Sequence, residues 1–247
     1  MLKLVVIDEE ILIDKNLKLN PVAKEILKQY TENGIKVAVV THRSFYEVKN
    51  TFSGLINLLL FICDDGAAVF GENTVYYMGV IDRRALSAFI KIAECEKDMD
   101  MYLSLKAGVV KVKGENAKKL SEITEEVSKI SLYSKNSGAA LLNITPNLHK
   151  NNLRISYYDE SVTEITDINS SREAALKLIE RRFGIFNNET MCFLKNEHSA
   201  PLCNYTGAVI TDVNGPLALK EKSNKESEDL IKELAVFLKH YVNKGQN

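Results

Sequence analysis

Residues 2–7 are apolar at every position but Lys3, the pattern of a strand buried on both faces. Such strands belong to parallel sheets, whose neighbours must be joined by a long crossover. The stretch that follows supplies one. Asn20 before Pro21 is a helix start and Asn33-Gly34 a helix stop, so a helix is predicted over residues 22–32, and residues 37–40 repeat the buried-strand pattern. The result is a βαβ unit, which commits the beginning of the chain to an α/β fold.

The same signals continue. A short helix is predicted over residues 45–52, a third strand over 58–63, and a hairpin over 67–70 and 74–78 around Gly71. From Asp82 the texture changes. Amphipathic helices at residues 83–96 and 116–129 alternate with strand-like runs at 101–105, 109–112, 139–145 and 153–158. Core texture returns near Ser170, with Ser170-x-x-Glu173 and Ser223-x-x-Glu226 as capping boxes, helices from 174–183 and from Leu230 onward, and strands at 190–194 and 208–211. The expected fold is α/β, a doubly wound parallel-sheet core from residues 1–81 and 168–247 with an inserted α+β cap domain over 82–167.

Composition narrows the partners. Lys plus Arg number 32 against 33 for Asp plus Glu, a net charge of −1, so no field collects nucleic acid or an anionic membrane. Cys63, Cys95, Cys192 and Cys203 form no C-x-x-C pair, which argues against a metal knuckle or a secreted disulfide framework and for buried thiols in a reducing cytoplasm. The best apolar stretch, residues 55–63, is interrupted by Asn57 and falls far short of the ~20 residues that span a bilayer, and no signal peptide is read at the start.

Ligands of open parallel sheets bind beyond the carboxyl ends of the strands, and those ends are polar here. The first strand ends in Asp8-Glu9-Glu10, the second in Thr41-His42-Arg43, the third in Asp64-Asp65-Gly66 and a later one in Lys195-Asn196-Glu197. In this order they resemble the haloacid dehalogenase superfamily, in its Cof-like and archaeal phosphoglycolate phosphatase-like branches. The family's Asp-x-Asp is met by Asp8 and Glu10, its Thr/Ser motif by Thr41, and its Asn-Gly-Ala turn by Asp65-Gly66-Ala67. Its conserved Lys falls on Arg172, ahead of Ala175-Leu176. The fourth motif, Gly-Asp-x-x-Asn-Asp, falls on residues 194–199, where Lys195 and Ser199 replace the metal-binding carboxylates. A slip of two residues would offer Glu197 instead.

The resemblance implies phosphoryl transfer from a small phosphorylated metabolite. Asp8 would be the nucleophile and a ligand of Mg²⁺, Glu10 the acid that protonates the leaving oxygen, Thr41, Arg172 and Lys195 the phosphate-binding groups, and Glu197 a second metal ligand. A lysine ammonium ~4 Å from Mg²⁺ at an effective dielectric of ~20 is repelled by about 8 kcal/mol, which sets Lys195 against the usual metal site. Three readings follow: a phosphatase with weakened or altered activity, a non-catalytic relative that binds a phosphorylated metabolite or a protein, and a phospho-acceptor receiver domain, for which the chain is too long. Arg43, Arg83 and Arg84 as phosphate contacts, and His42 and His198 as ligands, are weaker readings than solvated or salt-bridged side chains.

Overall fold

The computed structural model of the chain describes residues 1–95, 99–112, 125–134, 145–146, 148, 150–158 and 160–244. Strand β1 (Leu4–Asp8) leads into a one-turn helix α1 (Glu9–Leu12), then α2 (Pro21–Glu32) and β2 (Lys36–Val40), which pairs in parallel with β1. Helix α2 starts where the sequence signals it: the Asn20 side chain accepts the N–H groups of Val22 and Ala23 at 2.8 and 3.3 Å, and Pro21 occupies the first turn. Next come α3 (Phe45–Thr51), β3 (Leu60–Cys63), and the hairpin β4 (Ala68–Gly71) and β5 (Thr74–Met78). The middle of the chain holds α4 (Arg83–Cys95), β6 (Met99–Leu105), β7 (Val109–Val112), β8 (Val127–Ser134), β9 (Leu153–Tyr158) and β10 (Val162–Asp167). The chain then runs through α5 (Arg172–Phe183), β11 (Thr190–Leu194), β12 (Ala208–Asp212), α6 (Leu217–Lys220), β13 (Lys225–Ser227) and α7 (Leu230–Lys244).

The large sheet has the order β13-β12-β11-β1-β2-β3-β4-β5, parallel from β13 to β3 and closed by the antiparallel hairpin. Its central strand β1 shows why residues 4–7 had to be apolar throughout. Val5 and Ile7 join one buried cluster with Leu27, Phe52 and Leu234, while Leu4 and Val6 join the cluster on the other face with Leu176, Ile179 and Leu202. Among the described cysteines Cys63 and Cys192 are buried free thiols and Cys203 is half-buried.

The second sheet, β7-β6-β8-β10-β9, is antiparallel and two-faced. Met101, Leu103, Ile130, Leu132 and Ile165 pack with Phe89 of α4, and the alternate residues Asp100, Tyr102, Ser104, Lys129, Ser131, Tyr133 and Glu164 form a polar face. That alternation corrects only the end of the helix predicted over residues 116–129, because Val127 to Lys129 begin β8; residues 116–124 lie outside those described, and so does nearly all of the run predicted at 139–145.

Two caps also shift. Helix α5 is capped by Ser171, whose hydroxyl accepts the Ala174 N–H at 3.1 Å, because Ser170 is fully buried against the Tyr77 hydroxyl. Ser223 lies before β13, and Asp229 accepts the Lys232 N–H at the start of α7. Among the described residues no helix is long and apolar enough to cross a membrane.

Candidate functional site

From β1 the chain builds outward to β2 and β3 on one side and to β11, β12 and β13 on the other, so the carboxyl ends of β1 and β11 part around a crevice. Asp8, the last residue of β1, is only 2% exposed there. Its Oδ1 accepts the Ser199 hydroxyl at 2.5 Å, and its Oδ2 accepts the backbone N–H groups of Lys195 and Asn196 at 2.7 and 2.9 Å. Burial pushes the Asp8 carboxyl above its ordinary pKa, although Arg172 and these donors pull the other way.

Arg172 sits in the first turn of α5 with its Nη1 3.8 Å from Asp8 Oδ1 and 2.5 Å from the Ser199 hydroxyl, to which it donates. Its Nε and Nη2 donate to Asp65 Oδ1 at 3.0 and 2.6 Å. The turn after β3 makes this possible. Gly66 has φ +91°, and a Cβ there would lie 2.1 Å from the Ser171 carbonyl carbon, so the turn packs directly on the start of α5. Asp64 and Asp65 before it are also left-handed, at φ 49° and 53°, a strain on the order of 1 kcal/mol each. Burial, the strongest single influence, would raise the Asp65 pKa, but the Arg172 guanidinium together with His42 and Lys129 holds the group below its ordinary value.

Thr41 follows β2. Its hydroxyl donates to Glu9 Oε2 at 2.6 Å, and Arg43 Nη1 donates to Glu9 Oε1 at 2.7 Å. Glu10 is exposed and accepts the Asn196 side-chain amide at 2.6 Å. Asp8, Glu10, Thr41, Arg172 and Asn196 all line one crevice of about 130 Å³. The side chains of Lys195 and Glu197 do not line it: both residues are exposed, and Lys195 reaches Asp8 through its N–H alone. Arg83 and Arg84 are exposed at the start of α4.

Adjoining the crevice at His42 and Arg43 is a cavity of about 420 Å³ walled by the polar face of the second sheet and by Glu47. Lys129 enters from that face. Its Nζ lies 2.7 Å from Glu164 Oε1 and 3.4 Å from Asp64 Oδ1 and donates to the His42 carbonyl, while Ser128 donates to Asp64 Oδ2 at 2.8 Å. Tyr157 stands between His42 and His198, with ring centroids 4.8 and 4.5 Å away. Both histidines stand out in the sequence, whereas Glu9, although part of Asp8-Glu9-Glu10, has no role assigned there, and Lys129, Glu164 and Tyr157 do not stand out. The signal that could have found Glu9 is a third acid beside Asp8 directly after a buried strand. For the other three it is the period-two alternation of residues 129–133 and 153–167.

Burial, and next the Lys129 ammonium, push the His42 imidazole down to about 4. The folded state thus binds fewer protons than the unfolded between pH 6.5 and 4, and this group's contribution to stability is lost as pH falls through that window. In a two-dimensional NMR titration the His42 ring should hold its neutral shifts at pH 5.5. A midpoint near 6.5 would contradict the packing described.

The Mg²⁺ that the resemblance implies does not fit this site. A cation needs lone pairs, yet the groups on the Asp8 carboxylate are donors: a hydroxyl, two N–H groups and, at 3.8 Å, a guanidinium. Among the described residues no three of His, Cys, Asp and Glu are grouped to hold a metal.

The sequence matches the model of the haloacid dehalogenase-like hydrolases over residues 10–193, a span that includes Thr41 and Arg172 and ends just short of Asp8 and Lys195 on either side. Comparison with curated proteins finds no match. Among solved structures, a haloacid dehalogenase-like hydrolase from Bacteroides thetaiotaomicron is 12% identical with TM-score 0.83, over 96% of this chain and 100% of its own. A protein from Thermotoga maritima is 17% identical with TM-score 0.80, over 95% and 97%. A subclass IIB sugar phosphatase is 17% identical with TM-score 0.75, over 97% and 98%. At such identities the likeness is one of fold.

Proposed function

Because the chain belongs to the haloacid dehalogenase-like hydrolase family, we propose that it recognises a small phosphorylated metabolite at the Asp8 crevice and hydrolyses it slowly through Asp8, without the family's Mg²⁺. One observation carries the reading: Asp8, Glu10, Thr41 and Arg172 share a crevice in which the carboxylate is met by donors rather than by metal ligands. Residues 82–167 are the cap in this reading, over a core of 1–81 and 168–247. The buried thiols of Cys63 and Cys192 suit a reducing, cytoplasmic setting.

In the reaction an Asp8 oxygen bonds to phosphorus as the bond to the leaving oxygen breaks, and Glu10 gives that oxygen its proton. Arg172 offsets the phosphoryl charge. Water then attacks phosphorus, freeing phosphate and the Asp8 carboxylate and returning a proton to Glu10. Losing a divalent cation removes several kcal/mol of charge stabilisation, and each ~1.4 kcal/mol is tenfold in rate. A second reading, binding without turnover, is favoured by the bond that already ties Thr41 to Glu9.

Assays of p-nitrophenyl phosphate and a panel of phosphomonoesters should find low turnover that is equal in Mg²⁺ and in EDTA and is abolished by Asp8→Asn. A rise of about 10²-fold or more with Mg²⁺, or turnover indifferent to Asp8→Asn, would overturn the assignment.

A further inference from the structure

Thr41 and Arg43 converge on a carboxylate that has no part in the chemistry just described. Glu9 is 4% exposed, with Oε2 on the Thr41 hydroxyl at 2.6 Å and Oε1 on Arg43 Nη1 at 2.7 Å. A hydroxyl and a guanidinium at hydrogen-bond distance from two oxygens of one anion make the kind of seat in which phosphoryl oxygens are held. The seat does not depend on Glu9 for its shape. The Arg43 backbone N–H donates to Thr41 Oγ1 at 3.0 Å and its Nη2 donates to the Glu47 carbonyl at 3.0 Å, while Glu47 is fixed by the Ser44 hydroxyl and N–H. The α3 capping box thus holds Arg43 in place from the side away from Glu9.

Resting on the reading of this crevice as a phosphoryl site, we propose that Glu9 is an internal competitor for it: its carboxylate fills an oxyanion seat formed by Thr41 and Arg43 and thereby sets how weakly the protein holds phosphate. The charges agree with the geometry. Asp8, Glu9 and Glu10 line the crevice with Arg43 and Arg172, and Arg172 is already bound to Asp65, so a phosphoryl dianion meets cations that are engaged by carboxylates. Removing Glu9 frees one guanidinium and one hydroxyl together and takes away a like charge beside them. Arg43 is therefore a binding residue held in reserve, and Glu9 determines whether it is offered.

The test measures inorganic phosphate binding in EDTA by calorimetry, with circular dichroism and urea unfolding as checks of folding. Glu9→Ala should bind phosphate about tenfold more tightly than wild type, the scale of one charge-assisted hydrogen bond. Glu9→Gln, which keeps the shape and removes only the charge, should gain in the same direction by a smaller factor. Arg43→Ala added to either variant should return affinity to the wild-type level. Asp8→Asn added to Glu9→Ala should keep the gain, because the seat is Thr41 and Arg43, so a failed nucleophile assignment reads separately from a failed seat. A folded Glu9 variant that binds phosphate no better than wild type, or a gain that survives the loss of Arg43, would overturn the proposal.

Discussion

Lys129→Met should destabilise the protein by about 3–5 kcal/mol at pH 8, because it leaves two buried carboxylates without their common cation. Lys129 and Asp64 are each 2% exposed and Glu164 4%, and Asp64 Oδ1 and Glu164 Oε2 have no hydrogen-bond partner among the described residues. The ammonium is what compensates them. Burial opposes its charge, yet Glu164 and Asp64 hold the Lys129 pKa above its ordinary value. Burial pushes Glu164 up to about 7 even with Lys129 pulling it down, so without Lys129 it rises further. A carboxyl whose folded pKa is raised binds more protons folded than unfolded between its ordinary value and the raised one, so stability falls as pH rises through that window. The deficit of the variant should therefore be larger at pH 8 than at pH 5, read as urea midpoints at constant m. Adding Glu164→Gln and Asp64→Asn should recover most of it. A loss under about 1 kcal/mol, or one indifferent to pH, would mean that the cluster is solvated.

The largest functional effect is expected from Glu10→Asp, Lys195→Asp and Ser199→Asp combined, which should raise Mg²⁺-dependent phosphomonoester hydrolysis by about 10²-fold or more. The structure gives each change a reason. The Ser199 hydroxyl is 2.5 Å from Asp8 Oδ1, so an acid there sets an acceptor beside the nucleophile where a donor now stands. The Lys195 N–H is 2.7 Å from Asp8 Oδ2, so a short acidic side chain at this residue begins next to the same carboxylate. Shortening Glu10 moves its carboxyl by roughly one bond length, toward the place the family gives its leaving-group acid. The carboxylates brought together should repel one another without metal and be stabilised when Mg²⁺ binds, so thermal unfolding should shift upward with Mg²⁺ in the variant and not in the wild type. Single changes should do little, since each leaves the metal or the acid incomplete. Asp8→Asn in the combined variant should abolish the gain. A folded variant that neither binds Mg²⁺ nor gains turnover would show that the fourth-motif positions do not decide the activity of this chain.

Residues 2–40 show what a linear pattern can carry. The apolar run at residues 4–7 reads as a strand buried on both faces, Asn20-Pro21 opens a helix, and the two together leave a parallel βαβ unit as the outcome. Once the sheet is parallel, Asp8 and Thr41 must emerge at one edge, since they follow neighbouring strands that run the same way, and Arg172 reaches the same crevice from the start of α5. The end of the helix predicted over 116–129 shows the limit, since Val127 to Lys129 begin β8. A charged stretch satisfied a helical period, and the alternation from Lys129 to Tyr133 that reveals β8 is shorter than a helix-sized window.

The amino-acid sequence by itself determined the α/β class and the placing of Asp8 at the end of a central strand, because burial and helix capping are local matters of period and residue type. Only the tertiary structure decided which charges meet. Lys129 and Glu164 come from neighbouring strands of the second sheet to join Asp64 of the first, Glu9 turns to Thr41 and Arg43, and Ser199 comes between Arg172 and Asp8. Each pairing joins residues far apart in the chain, and electrostatic energy depends on distances of a few ångströms that no spacing along a sequence encodes.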